Sequence, residues 1–187
     1  MIRSQWMLSC LTVVSCLWLP AAALAHGPTP QKAQESVHID APPAEIWKIV
    51  GDISAFADWQ PQLSEVRPSE GNDEIADTVG AERVLVFADG GGEITESMDE
   101  YEPERHYLGY RLLVEDPAVF PVSFYTATIE ITEADGGSDV TWIARFYRGD
   151  TGNFPAEDQS DEAGQKAMHG FFKQGLDALK AQVEGGS

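Results

Sequence analysis

The sequence predicts an α+β domain in which a curved antiparallel sheet of about six or seven strands wraps one long C-terminal helix, with two short helices after the first strand. Three observations carry this prediction. From Glu82 to Tyr147 the chain reads as strands joined by short glycine turns, the pattern of an antiparallel meander. From Ser160 to Glu184 an apolar stripe recurs at helical spacing, through Met168, Phe171, Phe172, Gly175, Leu176, Leu179 and Val183. Such a helix is roughly 37 Å long and crosses a whole sheet. Ahead of the meander, one short strand runs straight into Pro42-Pro43 and two short helical patterns.

Met1 to Ala25 comes first. It holds Arg3, an apolar stretch from Trp6 to Leu19, Pro20, and then Ala21-Ala22-Ala23-Leu24-Ala25. That order is the n-region, h-region and small-residue cleavage site of a secretory signal, with Ala23 and Ala25 where the peptidase needs small side chains. Residues 1–25 are therefore expected to be a cleaved signal and the mature chain to be periplasmic. The stretch is short for a bilayer span of about 20 residues, and no cationic stop-transfer segment follows, so no stable membrane insertion is expected. Val13-Val14-Ser15-Cys16 also resembles a lipobox, although Leu17 to Ala25 stays apolar where a mature lipoprotein turns polar. Cys10 and Cys16 leave with the signal. The mature chain then has no disulfide, no thiolate metal site and no cysteine nucleophile, and rests on one packed core.

Residues 26–34 are polar with two prolines and read as a flexible leader, 35–184 as the domain and 185–187 as a tail. Val37 and Ile39 alternate as a strand, and Pro43 suits the first turn of a helix carrying Ile46, Val50 and Ile53. Ser54 reads as the N-cap of a second short helix with Phe56 and Trp59, which Pro61 stops. Strands follow over 82–87 and 93–101, divided by Asp89-Gly90-Gly91-Gly92. Others span 107–114, 122–132 and 139–147, the last two divided by Asp135-Gly136-Gly137. Asp161 and Glu162 favour the start of the long helix, and Gly185-Gly186 stops it.

The whole chain carries 12 Lys+Arg against 31 Asp+Glu, a net charge of −19; without Arg3 the mature chain has 11 against 31, or −20. That excludes ordinary nucleic-acid binding, which needs cations against phosphates. It fits a cationic protein partner, or an acidic surface suited to a saline habitat.

The run Val37-His38-Ile39-Asp40-Ala41-Pro42-Pro43-Ala44-Glu45-Ile46-Trp47, with Phe56-Ala57-Asp58-Trp59-Gln60-Pro61, resembles the opening of the START-like (Bet v 1-like, SRPBCC, polyketide cyclase/dehydrase) superfamily, and the likeness extends over Glu35 to Val183. The resemblance implies a helix-grip fold. Three stretches resemble more narrowly the periplasmic MxaD-like proteins, accessory to methanol oxidation and encoded with methanol dehydrogenase: His26 to Lys32, Pro121 to Tyr125, and Arg145 to Pro155. That resemblance implies support of a quinoprotein dehydrogenase, or of its electron transfer to a c-type cytochrome, rather than catalysis.

Two groups of residues are candidate sites. Trp47, Trp59, Tyr110, Trp142, Phe146 and Phe171, with Phe172, either line a cavity for a small apolar ligand or form plain core. Glu96 and Glu100 are expected to share an inward face with Ile94 and Met98, where a carboxylate is costly unless paired. They would act as a polar anchor or acid/base; alternatively the strand end twists to water, or they pair structurally with Arg111 or Arg145. The second group is the turn-rich loop after the last strand, with Arg148, Asp150, Asn153, Phe154, Glu157 and Asp158. It reads as a partner contact, or as a crossover held by Phe154 in the core. His26, His38, His106 and His169 show no ligand spacing, and no Gly-x-Ser-x-Gly elbow, phosphate loop or dinucleotide fingerprint appears. No metal, cofactor or catalytic constellation is expected. The function expected is a periplasmic accessory or binding protein. The alternatives are a cavity enzyme of the cyclase or dehydrase type and a general lipid or hydrophobic-ligand carrier.

Overall fold

The computed structural model describes residues 27–88 and 90–185. The expected export signal, Asp89 of the first hairpin, Gly186 and Ser187 lie outside them.

Strand β1 spans Gln31–Ile39, so it begins inside the stretch expected as a leader. Its early start is set by pairing: Ala33 is fully buried and sits opposite Ala144. Helix α1 (Pro43–Val50) follows with Pro43 in its first turn and buries Ile46 and Val50. The second short helix is a single 3-10 turn, Phe56–Asp58. Ser54 does not cap it: the N-cap is Ala55, without a side-chain bond, and Asp52 closes the turn just before it, accepting from the Ser54 and Ala55 amides at 3.1 Å each.

The meander comprises β2 (Leu63–Pro68), β3 (Glu82–Phe87), β4 (Glu93–Glu102), β5 (Tyr107–Val114), β6 (Val122–Ala134) and β7 (Gly137–Arg148). From β3 to β7 each strand pairs antiparallel with its predecessor, and β1 joins beyond β7, which gives one sheet in the order β1-β7-β6-β5-β4-β3-β2. The glycine turns behave as their composition requires: Gly90, Gly92 and Gly136 adopt positive φ. Register shifts in β2, β4 and β6 bend the strands. Helix α2 (Asp161–Gly185) lies across the inner face and buries Met168, Phe171, Phe172, Leu176 and Leu179. Ser160 caps it, accepting from the Ala163 amide at 3.2 Å. Among the described residues no helix is long and apolar enough to cross a membrane.

Candidate functional site

Inward positions of the sheet alternate along β7 as Val140, Trp142, Ala144 and Phe146, all nearly without solvent contact. Trp142 stacks on Phe172 at 4.4 Å and meets Trp59 at 5.6 Å, Phe171 at 5.7 Å and Phe56 at 5.8 Å. Phe146 is equally enclosed, beneath Gly164 of α2. These rings pack against one another where a ligand cavity was expected. The space left between helix and sheet is about 10 Å³, room for one water at most. It is lined by Glu96, Tyr110, Phe171 and Phe172 among the expected residues, together with Ile94, Phe120, Tyr125, Ala127 and Met168. Trp47 lies away from it, half-buried against Tyr101 at 5.5 Å and His106 at 6.0 Å.

One expected acid faces inward and the other does not. Glu96 is buried, and its partner is Arg83 rather than Arg111 or Arg145. Arg83 donates through Nε at 2.8 Å and also pairs at 2.7 Å, with both side chains almost free of solvent. The Tyr125 hydroxyl donates to the other Glu96 oxygen. The Arg83 guanidinium also lies 4.2 Å over the Phe56 ring. Trp142 Nε1 donates to the Tyr110 hydroxyl at 2.8 Å, whose own proton finds no acceptor among the described residues. Both phenols are pushed well above the ordinary tyrosine range, first by burial and then by the charge on Glu96. Glu100, by contrast, is exposed. The register shift between Met98 and Glu100 reverses the alternation, so its carboxylate lies over Gly109 and accepts from Tyr107 at 2.9 Å.

The alternation contained signals for the missed members. Arg83 shares its face with Leu85 and Phe87, and Tyr125 shares its face with Ala127 and Ile129. As a chemical unit the cluster is self-neutralising: one cation, one anion, and an anion occupied on both oxygens. It offers Tyr110 as a donor but no free base.

The second candidate group gathers at the end where β7 leaves the sheet and α2 begins. Arg148 is buried and holds the loop from inside, donating to the carbonyls of Asp150 and Gly152 at 2.7 Å each and reaching Asp161 at 3.4 Å. Asp150 accepts from the Gly152 amide at 2.8 Å. Asn153, Glu157 and Asp158 are exposed. Phe154, which the structural alternative placed in the core, stands 93 % exposed. Phe124 is 67 % exposed on the bulge of β6, with φ 50°, a conformation rare for a bulky residue. It borders an open groove of about 450 Å³ with Pro28, Tyr147 and Thr151.

A curved antiparallel sheet gripping one long helix over an internal polar cluster defines a START-like, helix-grip domain. The chain belongs to the polyketide cyclase/dehydrase and lipid transport family, whose model matches residues 30–184. No curated protein matches it. Among solved structures it is similar to the protein XoxI from Bacillus cereus, with 24 % identity, TM-score 0.65, and 82 % of this chain and 95 % of that one covered. A protein from Thermobifida fusca is 29 % identical at TM-score 0.62, covering 81 % and 92 %. The Zhui aromatase/cyclase from Streptomyces sp. R1128 is 18 % identical at TM-score 0.63, covering 83 % and 94 %.

Proposed function

We propose that this protein is a periplasmic accessory protein that works by docking rather than by catalysis, through the end formed by residues 148–158 and Phe124. The observation that carries the reading is the contrast between its two candidate sites. The interior is filled, and Glu96 is engaged on both oxygens. Phe154 is held in water by a loop that the buried Arg148 fastens from within, and Phe124 is turned outward by the bulge of β6. Exposed aromatics on a braced loop are the usual anchors of a protein contact, and Asp150, Glu157 and Asp158 beside them attract a cationic partner. The resemblance of Arg145 to Pro155 to accessory proteins of methanol oxidation makes a quinoprotein dehydrogenase or its c-type cytochrome the partner to test.

The test adds the purified mature chain to dehydrogenase and cytochrome and follows cytochrome reduction across a salt series. Turnover should change at low salt, and the effect should fade as screening shortens to about 8 Å. Replacing Asp150, Glu157 and Asp158 with Asn, Gln and Asn should mimic that fading. Phe154→Ala should abolish the effect without altering stability. Turnover indifferent to the protein at low salt rejects the reading.

A second reading, a cavity enzyme or hydrophobic-ligand carrier, draws on one observation: Tyr110 and Glu96 line a small, largely apolar space. Native mass spectrometry of the protein from its own host distinguishes it. A bound small molecule lost in Tyr110→Phe favours the carrier.

A further inference from the structure

Six arginines occur among the described residues, and five are held by acids: Arg67 by Glu93, Arg83 by Glu96, Arg105 by Glu102, Arg111 by Asp99 and Arg148 by Asp161. Among the described residues Arg145 has neither ion pair nor hydrogen bond, in a chain with 31 Asp and Glu. It is exposed on the outer face of β7, and its cross-strand neighbours are Lys32 on β1 and Thr126 on β6. Like charges directly opposite in a sheet repel. The Lys32 ammonium is held by the neutral Gln34 side chain at 2.9 Å, and by no acid. Among the described residues, the fold therefore sets two cations side by side without a counter-ion, in a chain of strongly negative net charge. Alternation puts Tyr147 on the same face, and the β6 bulge turns Phe124 outward next to it. Both rings border the open groove.

We propose that this face reads a carboxylate: Arg145, with Lys32 opposite, takes one acidic side chain of the docked protein, while Phe124 and Tyr147 cover its aliphatic stem. The proposal rests on the docking reading and states what the partner must present. That is a carboxylate beside an apolar side chain, set within a surface otherwise basic. A guanidinium binds a carboxylate through two parallel N–H bonds, which fixes direction as well as sign. The acids of the loop then draw the partner in, and Arg145 sets its register, because any other placement turns cation to cation.

The test has two arms. In the first, the isotope-labelled mature chain is titrated with a capped Leu-Glu-Leu peptide and with its glutamine twin. Amide shifts should appear at Lys32, Phe124, Arg145 and Tyr147, about threefold smaller with the glutamine peptide or in Arg145→Gln, as suits a weak exposed pair. Equal shifts from both peptides, or none on this face, overturn the proposal. In the second arm, binding kinetics to the purified dehydrogenase and cytochrome are compared. Arg145→Ala should raise the dissociation rate about tenfold, whereas neutralising Asp150, Glu157 and Asp158 should slow association. Arg145 is exposed and bonds nothing, so its variants keep the fold. If the native chain binds and Arg145→Ala leaves no faster, the carboxylate contact is wrong and docking stands. If neither protein binds, the docking reading falls and the peptide arm decides alone. Self-association of the native chain that Arg145→Glu disperses would make the occupant a second copy and overturn the proposal.

Discussion

Glu96 is the residue on which the interior depends, because it is the counter-charge of Arg83 and the acceptor for the Tyr125 hydroxyl. Glu96→Ala leaves a buried guanidinium without a counter-charge, and the loss should be about 3–5 kcal/mol. The paired replacement Arg83→Met with Glu96→Leu removes both charges and should recover most of that loss, because an apolar pair needs no desolvation. Urea unfolding midpoints of the three proteins decide it; a double variant as weak as the single one refutes the ion-pair account. The phenols add a pH dependence. Tyr110 and Tyr125 have raised pKa values when folded, so their contribution is intact below the unfolded tyrosine value of about 10 and is lost as pH rises beyond it. Alkaline titration should therefore show these two phenolates appearing only together with the collapse of near-ultraviolet circular dichroism. Their ionisation in a chain that is still folded would contradict the burial described.

Helix α2 shows at the next scale how one residue type serves opposite ends. Gly175 lets the helix approach the sheet: a Cβ there would lie 2.7 Å from Gln60 Nε2 and 3.0 Å from the Trp142 ring. Gly170 meets only the Gln174 amide, at 3.9 Å. Gly175→Ala should then destabilise by about 1–3 kcal/mol through overpacking. Gly170→Ala should stabilise by about 0.5–1 kcal/mol through helix propensity. Thermal melts of the two variants should move in opposite directions. The long helix and the glycine hairpins were legible in the sequence because periodicity and positive φ leave marks on composition. Strand β2 was not, because of its six residues only Leu63 is buried, and an edge strand that faces water on most positions has no alternation to display. The start of β1 was hidden for a similar reason: its one buried residue there is an alanine. In the site, Glu96 was read correctly as facing inward and Glu100 was not. A one-residue register shift inverts every later position, and nothing in the local alternation announces it.

The charge of the whole molecule sets its response to salt. At −19 for the chain, the folded state confines repulsion that the unfolded chain relieves. Raising ionic strength from 0.01 M to 0.15 M shortens the screening distance from about 30 Å to about 8 Å, so the melting temperature should rise over that range. A melting temperature independent of salt would mean the surface charges are too well dispersed to matter. The topology acts at the same scale. Strand β1 pairs only with β7, the final strand, and the bonds from α2 back to it span 134 residues at His169–Glu35 and 142 at Lys180–His38. The first segment to emerge in the described domain is thus among the last to find its partners. Contacts of such long span slow folding, and a nascent chain remains pliable until its final helix arrives. The same arrangement works as a proofreading step: a chain broken off near Pro155 still pairs β1 with β7, but it lacks the α2 bonds to β1 and leaves the apolar inner face of the sheet uncovered. Such a fragment should be digested by protease at concentrations that leave the whole chain intact.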